Sequence, residues 1–167
     1  VASVTAASGT VITTQSNSLT ISTGIPTVNN VSLSVQCANV EAWDYDGVIV
    51  PVTVRMTDRF SNPVPDGTAA NFRTEGGGIT AQCFTSTTAS EAGLCTANWN
   101  SKIPRPANGR SSLMVSTIGE DSFIDQNQNG VFDPPTDNAT PGTGWTQAQE
   151  PFRDDNENGH WDDGEDF

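Results

Sequence analysis

Positive charge is what this chain has least of. Its 167 residues include seven Lys and Arg and one His, against 20 Asp and Glu, for a net charge of −13. So little base excludes nucleic acid and anionic membrane surfaces as partners. Long apolar runs are missing as well, and without about 18 consecutive apolar residues no helix inserts into a membrane. Helical periodicity is absent throughout. With His160 as the single histidine, no Ser in a nucleophile-elbow motif and no glycine loop to cradle a phosphate, no nucleophile finds a base, and the reading is non-enzymatic. The acidic pairs that glycoside hydrolysis would need lie in the C-terminal tail, where another chemistry accounts for them better.

The charge is unevenly placed. Residues 1–118 hold 7 acidic and 6 basic side chains, whereas residues 119–167 hold 13 acidic and one basic. Carboxylates at that density repel unless they are solvated, disordered or neutralised by cations. The low hydrophobic share, 34%, belongs mainly to this tail and to the N-terminal stretch.

Three cysteines in a Thr/Ser/Asn/Gly-rich acidic chain point to an exported protein. Cys83 and Cys95 flank FTSTTASEAGL, which reads as a hairpin loop, so a local disulfide between them is the first expectation. Cys37 is then left as a buried free thiol, as an alternative partner of Cys83 or Cys95, or as a link to another chain. The chain opens at Val1, without Met and already in strand composition, so a piece of a longer polypeptide is expected.

Alternation with period two dominates the middle of the chain. Val31, Leu33, Val35 and Cys37 share one face; Val48, Val50, Val52, Val54 and Met56 share another, with Pro51 placing that strand beside an edge or bulge. Phe72, Trp99, Leu113 and Val115 complete the expected core, and Trp43 reads as a sheet-packing aromatic. The connections carry turn chemistry: Asp44-Tyr-Asp-Gly47, Ser61-Asn-Pro63, Pro65-Asp-Gly67, Gly76-Gly-Gly78 and Asn108-Gly109. About seven short strands between Val31 and Ile118 give an all-β chain built as a β-sandwich of immunoglobulin type, spanning residues 28–118. Residues 1–27 have strand composition without large apolar side chains, and read either as the end of a preceding domain or as an extended arm that adds to a neighbour's sheet.

The stretch VTVRMTDRFSNPVPDGTAANFRTEGGGI, with its strand, Asn-Pro-Val-Pro-Asp-Gly-Thr turn, second strand and glycine cluster, resembles bacterial immunoglobulin-like repeats of the invasin and intimin class. The resemblance covers about residues 28–118. It implies a rigid spacer in a surface adhesin or related extracellular protein.

The tail contains a repeat. Asp125-Gln-Asn-Gln-Asn-Gly-Val-Phe-Asp133 and Asp154-Asp-Asn-Glu-Asn-Gly-His-Trp-Asp162 both read D-x-N-x-N-G-x-aromatic-D. Oxygen-bearing side chains at the first, third and fifth places, a Gly at the sixth, a backbone carbonyl at the seventh and a carboxylate at the ninth wrap a hard cation. The expected ligands are therefore Asp125, Asn127, Asn129, the Val131 carbonyl and Asp133 in one loop, and Asp154, Asn156, Asn158, the His160 carbonyl and Asp162 in the other. Glu165 falls at the twelfth place of the second loop, where an EF-hand has its bidentate Glu; the first loop has Thr136 there, and Glu150 is expected to return across an insertion, residues 134–149, to fill the gap. Mixed carboxylate, amide and carbonyl oxygens favour Ca²⁺ over Mg²⁺, and a single His with distant thiols disfavours Zn²⁺. Two Ca²⁺ ions are expected. Pro134-Pro135 forbids the helix that follows an EF-hand or dockerin loop, so the tail resembles the helix-free Asp/Asn-Gly calcium loops of extracellular bacterial proteins.

These observations imply an extracellular or cell-surface structural module. It has an N-terminal arm (1–27), a sandwich (28–118) and an irregular calcium-binding extension (119–167), with neighbouring immunoglobulin-like domains or identical subunits as partners in an adhesin, stalk or filament. The competing reading is a carbohydrate- or protein-binding module with a cell-surface or glycan receptor, for which Trp145 is the best exposed contact.

Overall fold

The computed structural model describes residues 2–5, 11–14, 24–86, 91–120, 126–129, 133 and 150–166. Among them there is no α-helix, and the chain is all-β, as the alternation requires. Strands β1 (Ala2–Thr5) and β2 (Val11–Thr14) pair with each other as an antiparallel ribbon. A 3₁₀ turn, Val28–Asn30, leads into the body.

The body has seven strands in two antiparallel sheets. These are β3 (Val31–Val35), β4 (Ile49–Met56), β5 (Ala69–Thr74), β6 (Gly78–Ile79), β7 (Gln82–Phe84), β8 (Leu94–Asn100) and β9 (Leu113–Ser116). One sheet runs β3-β4-β8-β6 and the other β7-β5-β9. Val52, Val54, Met56, Phe72, Cys95 and Ala97 from both sheets form one buried cluster, with Val31, Ile79, Trp99, Leu113 and Val115 packed against it. This arrangement is a β-sandwich core, built by side chains that alternate inward along each strand.

Two sequence expectations change in three dimensions. Leu33 and Val35 are each 36% exposed, and Cys37 is an exposed free thiol beyond the strand, because β3 is the edge of its sheet and only Val31 reaches the core. Pro51 lies in a strand with neighbours on both sides. It is tolerated because its carbonyl, and with it the side of its missing N–H, faces β3 just past Val35, where the Gln36 N–H donates to the Pro51 carbonyl at 3.0 Å.

The disulfide also differs from the expected hairpin staple. Cys83 and Cys95 are bonded, with a Cα–Cα distance of 5.8 Å, but they lie on β7 and β8, which belong to different sheets. The bond therefore cross-links the two layers.

Several turns are fixed from inside. Asp58, fully buried, accepts the Phe60 and Asn62 N–H groups on one carboxylate oxygen, both at 2.9 Å, and so holds Ser61 at φ 64° before Pro63. At the glycine cluster, Gly77 has φ +74°, and a Cβ there would lie 2.7 Å from the Trp99 ring. The Trp99 indole N–H donates to the Gly76 carbonyl at 2.9 Å, so the glycines close over the aromatic ring.

Candidate metal site

The second loop brings its expected side chains together. Asn156 and Asn158 each donate an amide N–H to the same oxygen of Asp162, at 2.6 and 2.5 Å. The Asp154 carboxylate accepts the Asn158 and Gly159 N–H groups at 3.0 and 2.7 Å, and the Asn156 side-chain oxygen accepts the Asn158 N–H at 3.1 Å. His160 enters through its backbone, its N–H donating to the Asn158 side-chain oxygen at 2.7 Å, while its ring is not needed. These Asx-type turns are what short Asp and Asn side chains form in place of regular structure.

The described part of the first loop repeats that network. Asn127 and Asn129 donate their amides to one oxygen of Asp133, at 3.2 and 2.5 Å, and the Asn129 N–H donates to the Asn127 side-chain oxygen at 3.0 Å. The fourth residue of each loop, Gln128 and Glu157, is left-handed, with φ 60° and 61°. A non-glycine residue seldom adopts that conformation. The sequence repeat is therefore also a conformational one, with a left-handed residue at the same place in both loops. Asp125 and Val131 lie outside the described residues, as do the insertion 134–149, Trp145 and Phe167.

The donor set fits a hard cation. Asp154, Asn156, Asn158 and Asp162 offer only oxygen and amide groups, and a half-turn of each amide about its terminal bond exchanges N–H₂ for C=O and presents oxygen to the centre. Among the described residues, no three His, Cys, Asp or Glu side chains form a metal cluster. The shared points are instead Asp162 and Asp133, each approached by two amides. Those two hydrogen bonds, Asn156 first and then Asn158, hold the Asp162 carboxyl below its usual pKa.

The two glutamates occupy different places. The Glu165 carboxylate brackets the loop backbone, accepting the Asp155 N–H at 2.9 Å on one oxygen and the Asp162 N–H at 3.0 Å on the other. Glu150 is exposed and, among the described residues, makes no hydrogen bond to Asn127, Asn129 or Asp133.

The loop is fastened to the sandwich by residues that loop-motif reasoning misses. Arg153 donates to both carboxylate oxygens of Asp155, at 2.6 and 2.8 Å, to Asp166 at 2.7 Å and to the Thr74 carbonyl at 3.3 Å. The hydrogen bond to Asp155 is the main cause of its raised pKa, opposed by desolvation and supported by the charges of Asp155 and Asp166. Arg110 pairs with Glu157, Arg73 with Asp166 at 3.7 Å, and the Ser112 hydroxyl donates to the Asp154 carbonyl at 2.9 Å. One signal in the sequence pointed here: Arg153 is the single base in an acidic tail and immediately precedes a loop.

A cavity of about 720 Å³ opens at the same end of the sandwich, lined among others by Trp43, Trp99, Val50, Leu113, Arg105 and Arg110. Asp46, in the Asp44-to-Gly47 turn, pairs with Arg105 there. No protein-family model matches the chain, and no curated protein or solved structure matches it. Among the described residues no helix is long and apolar enough to cross a membrane.

Proposed function

We propose that the chain is a structural, extracellular immunoglobulin-like module whose acidic extension is folded by two Ca²⁺ ions. The observation that carries this reading is the repeated network: two loops, 29 residues apart in sequence, place two amides on one aspartate and bend left-handed at the same position. A solvated acidic turn has no reason to repeat at that level. The ions neutralise carboxylates that otherwise repel, so binding free energy becomes folding free energy of the extension.

The strand order supports the immunoglobulin-like part. β6 and β7 are separated by two residues and lie in different sheets, as a single strand that crosses from one layer to the other. Counted so, the first sheet runs first-second-fifth-fourth, and the third and sixth strands pair in the second. That is the order of a constant-type immunoglobulin domain up to its sixth strand. The parallel bridge between Thr27 and Glu120 lies where the chain leaves the body.

In this reading the module serves as a rigid element of an adhesin, stalk or filament, stiff in Ca²⁺-containing surroundings and loose without it. Calorimetric Ca²⁺ titration with proteolysis in chelator tests it. Two bound ions and loss of protease resistance in residues 119–167 on chelation are expected; resistance and melting unchanged by chelator overturn it. Electron microscopy of native material separates filament subunit from stalk segment, since only the former gives repeating polymers of this chain. The recognition reading draws on the cavity between Trp43 and Trp99, and requires glycan or protein affinity that survives Ca²⁺ removal.

A further inference from the structure

We infer that Arg153 is a positioning residue that makes cation binding by the second loop and the covering of Met114 on the outer face of the sandwich one event. The inference rests on the calcium reading above.

Met114 is the starting observation. It sits on β9 between Leu113 and Val115, both of which pack against the core, so alternation turns Met114 to the opposite, outer face. Yet it is only 7% exposed. Its register partner Arg73, on the same outer face of β5, reaches Asp166. The next residue of β5, Thr74, offers its carbonyl to Arg153, and Ser112, two residues before Met114, holds the Asp154 carbonyl. The segment from Arg153 to Asp166 is therefore fastened at three residues next to Met114.

Arg153 joins that cover to the loop's own geometry. Its guanidinium grips Asp155 at the start of the loop and Asp166 at its end, while its N–H donates to the Asp166 carbonyl at 2.8 Å. A ring of oxygens closes on a cation only if the two ends of the loop stay together. One side chain here holds the ends together and hangs them on Thr74. Neither carboxylate it binds belongs to the expected ligand set, so the guanidinium does not compete with the ion for Asp154 or Asp162. Cation binding favours the closed loop, the closed loop presents Asp155 and Asp166 to Arg153, and docking follows; by linkage, docking raises cation affinity by the same factor.

The two methionines supply the test. Met56 is fully buried in the core and serves as internal control for the fold. The intact chain is treated with dilute hydrogen peroxide in Ca²⁺ or in chelator, and sulfoxide at each methionine is followed by mass spectrometry, with Ca²⁺ binding measured in parallel by calorimetry. Expected is oxidation of Met114 at least tenfold faster in chelator, with Met56 protected in both. Arg153→Gln is expected to bind Ca²⁺ severalfold more weakly and to leave Met114 reactive even in Ca²⁺, and Arg153→Lys to restore protection in part. Ca²⁺ binding with Met114 equally protected in chelator overturns the coupling and leaves the metal reading standing. Absence of Ca²⁺ binding overturns both. Protection of Met114 in Ca²⁺-bound Arg153→Gln overturns the role of the arginine.

Discussion

The sandwich and the second loop are held together by opposite physics. The sandwich buries Val52, Val54, Met56 and Ala70 completely, closes a disulfide between its layers, and has a nearly balanced set of charges. In the loop every expected ligand side chain that is described, apart from Asp154 and the half-buried Glu165, is exposed, and its order comes from hydrogen bonds, ion pairs and left-handed bends. Burial gives the first region stability that neither salt nor a chelator removes. Exposed polar contacts are each worth little, so the second region depends on what neutralises its carboxylates.

Variants in the core separate the two regions most strongly. Phe72→Ala removes a ring that is 4% exposed between the sheets, and is expected to cost about 3–5 kcal/mol in urea unfolding. A loss under about 1 kcal/mol would show that the layers do not pack as described. Replacing Cys83 and Cys95 together by Ser opens a short covalent loop and is expected to lower stability by about 3 kcal/mol. Ca²⁺ affinity measured below the unfolding transition should stay unchanged, and a parallel fall would erase the distinction between the regions. Gly77→Ala forces a side chain onto the Trp99 ring at positive φ and is expected to cost about 1–3 kcal/mol. Red-shifted Trp fluorescence would report the displaced indole.

The smallest effect is one of pH and belongs to the loop alone. Because the Asp162 carboxyl is held below its ordinary pKa in the folded loop, its contribution is complete above the ordinary aspartate value, about 4, and is lost as pH falls through the lower folded value. Proteolysis of the loop at fixed temperature should therefore change little from pH 7 to 5 and rise only below that. A rise already between pH 7 and 6 would overturn this assignment to Asp162.

What could be read in the sequence follows the same division. Alternation located Val50, Val52, Val54 and Met56, since each strand's inward face is a local property, and the Ser61-to-Pro63 and Gly76-to-Gly78 turns were visible because Pro and Gly act on their own φ. The exposure of Leu33 and Val35 was not visible, because edge position depends on which strands pair. The cysteine spacing placed a disulfide correctly between Cys83 and Cys95 but suggested one hairpin, since spacing does not record that β7 and β8 part into different sheets. In the loops the ligand spacing was legible, being local. Arg110, Arg73 and Ser112 were not, since each acts on a residue at least 40 positions away, and of Arg153 only its isolation in the acidic tail was visible, not its hold on Thr74.

The loop's place on the body has a kinetic side. The chain leaves β9 at Ser116 and is bridged to Thr27 at Glu120, whereas Arg153 and Asp154 are fastened beside Thr74 and Ser112, at the other end of the same strand. The loop thus returns along the strand it came from and, being part of the same chain, meets the body by an intramolecular step and not by diffusional encounter with a separate partner. The ion pairs and hydrogen bonds of Arg153 and Ser112 act without the cost of bringing two molecules together.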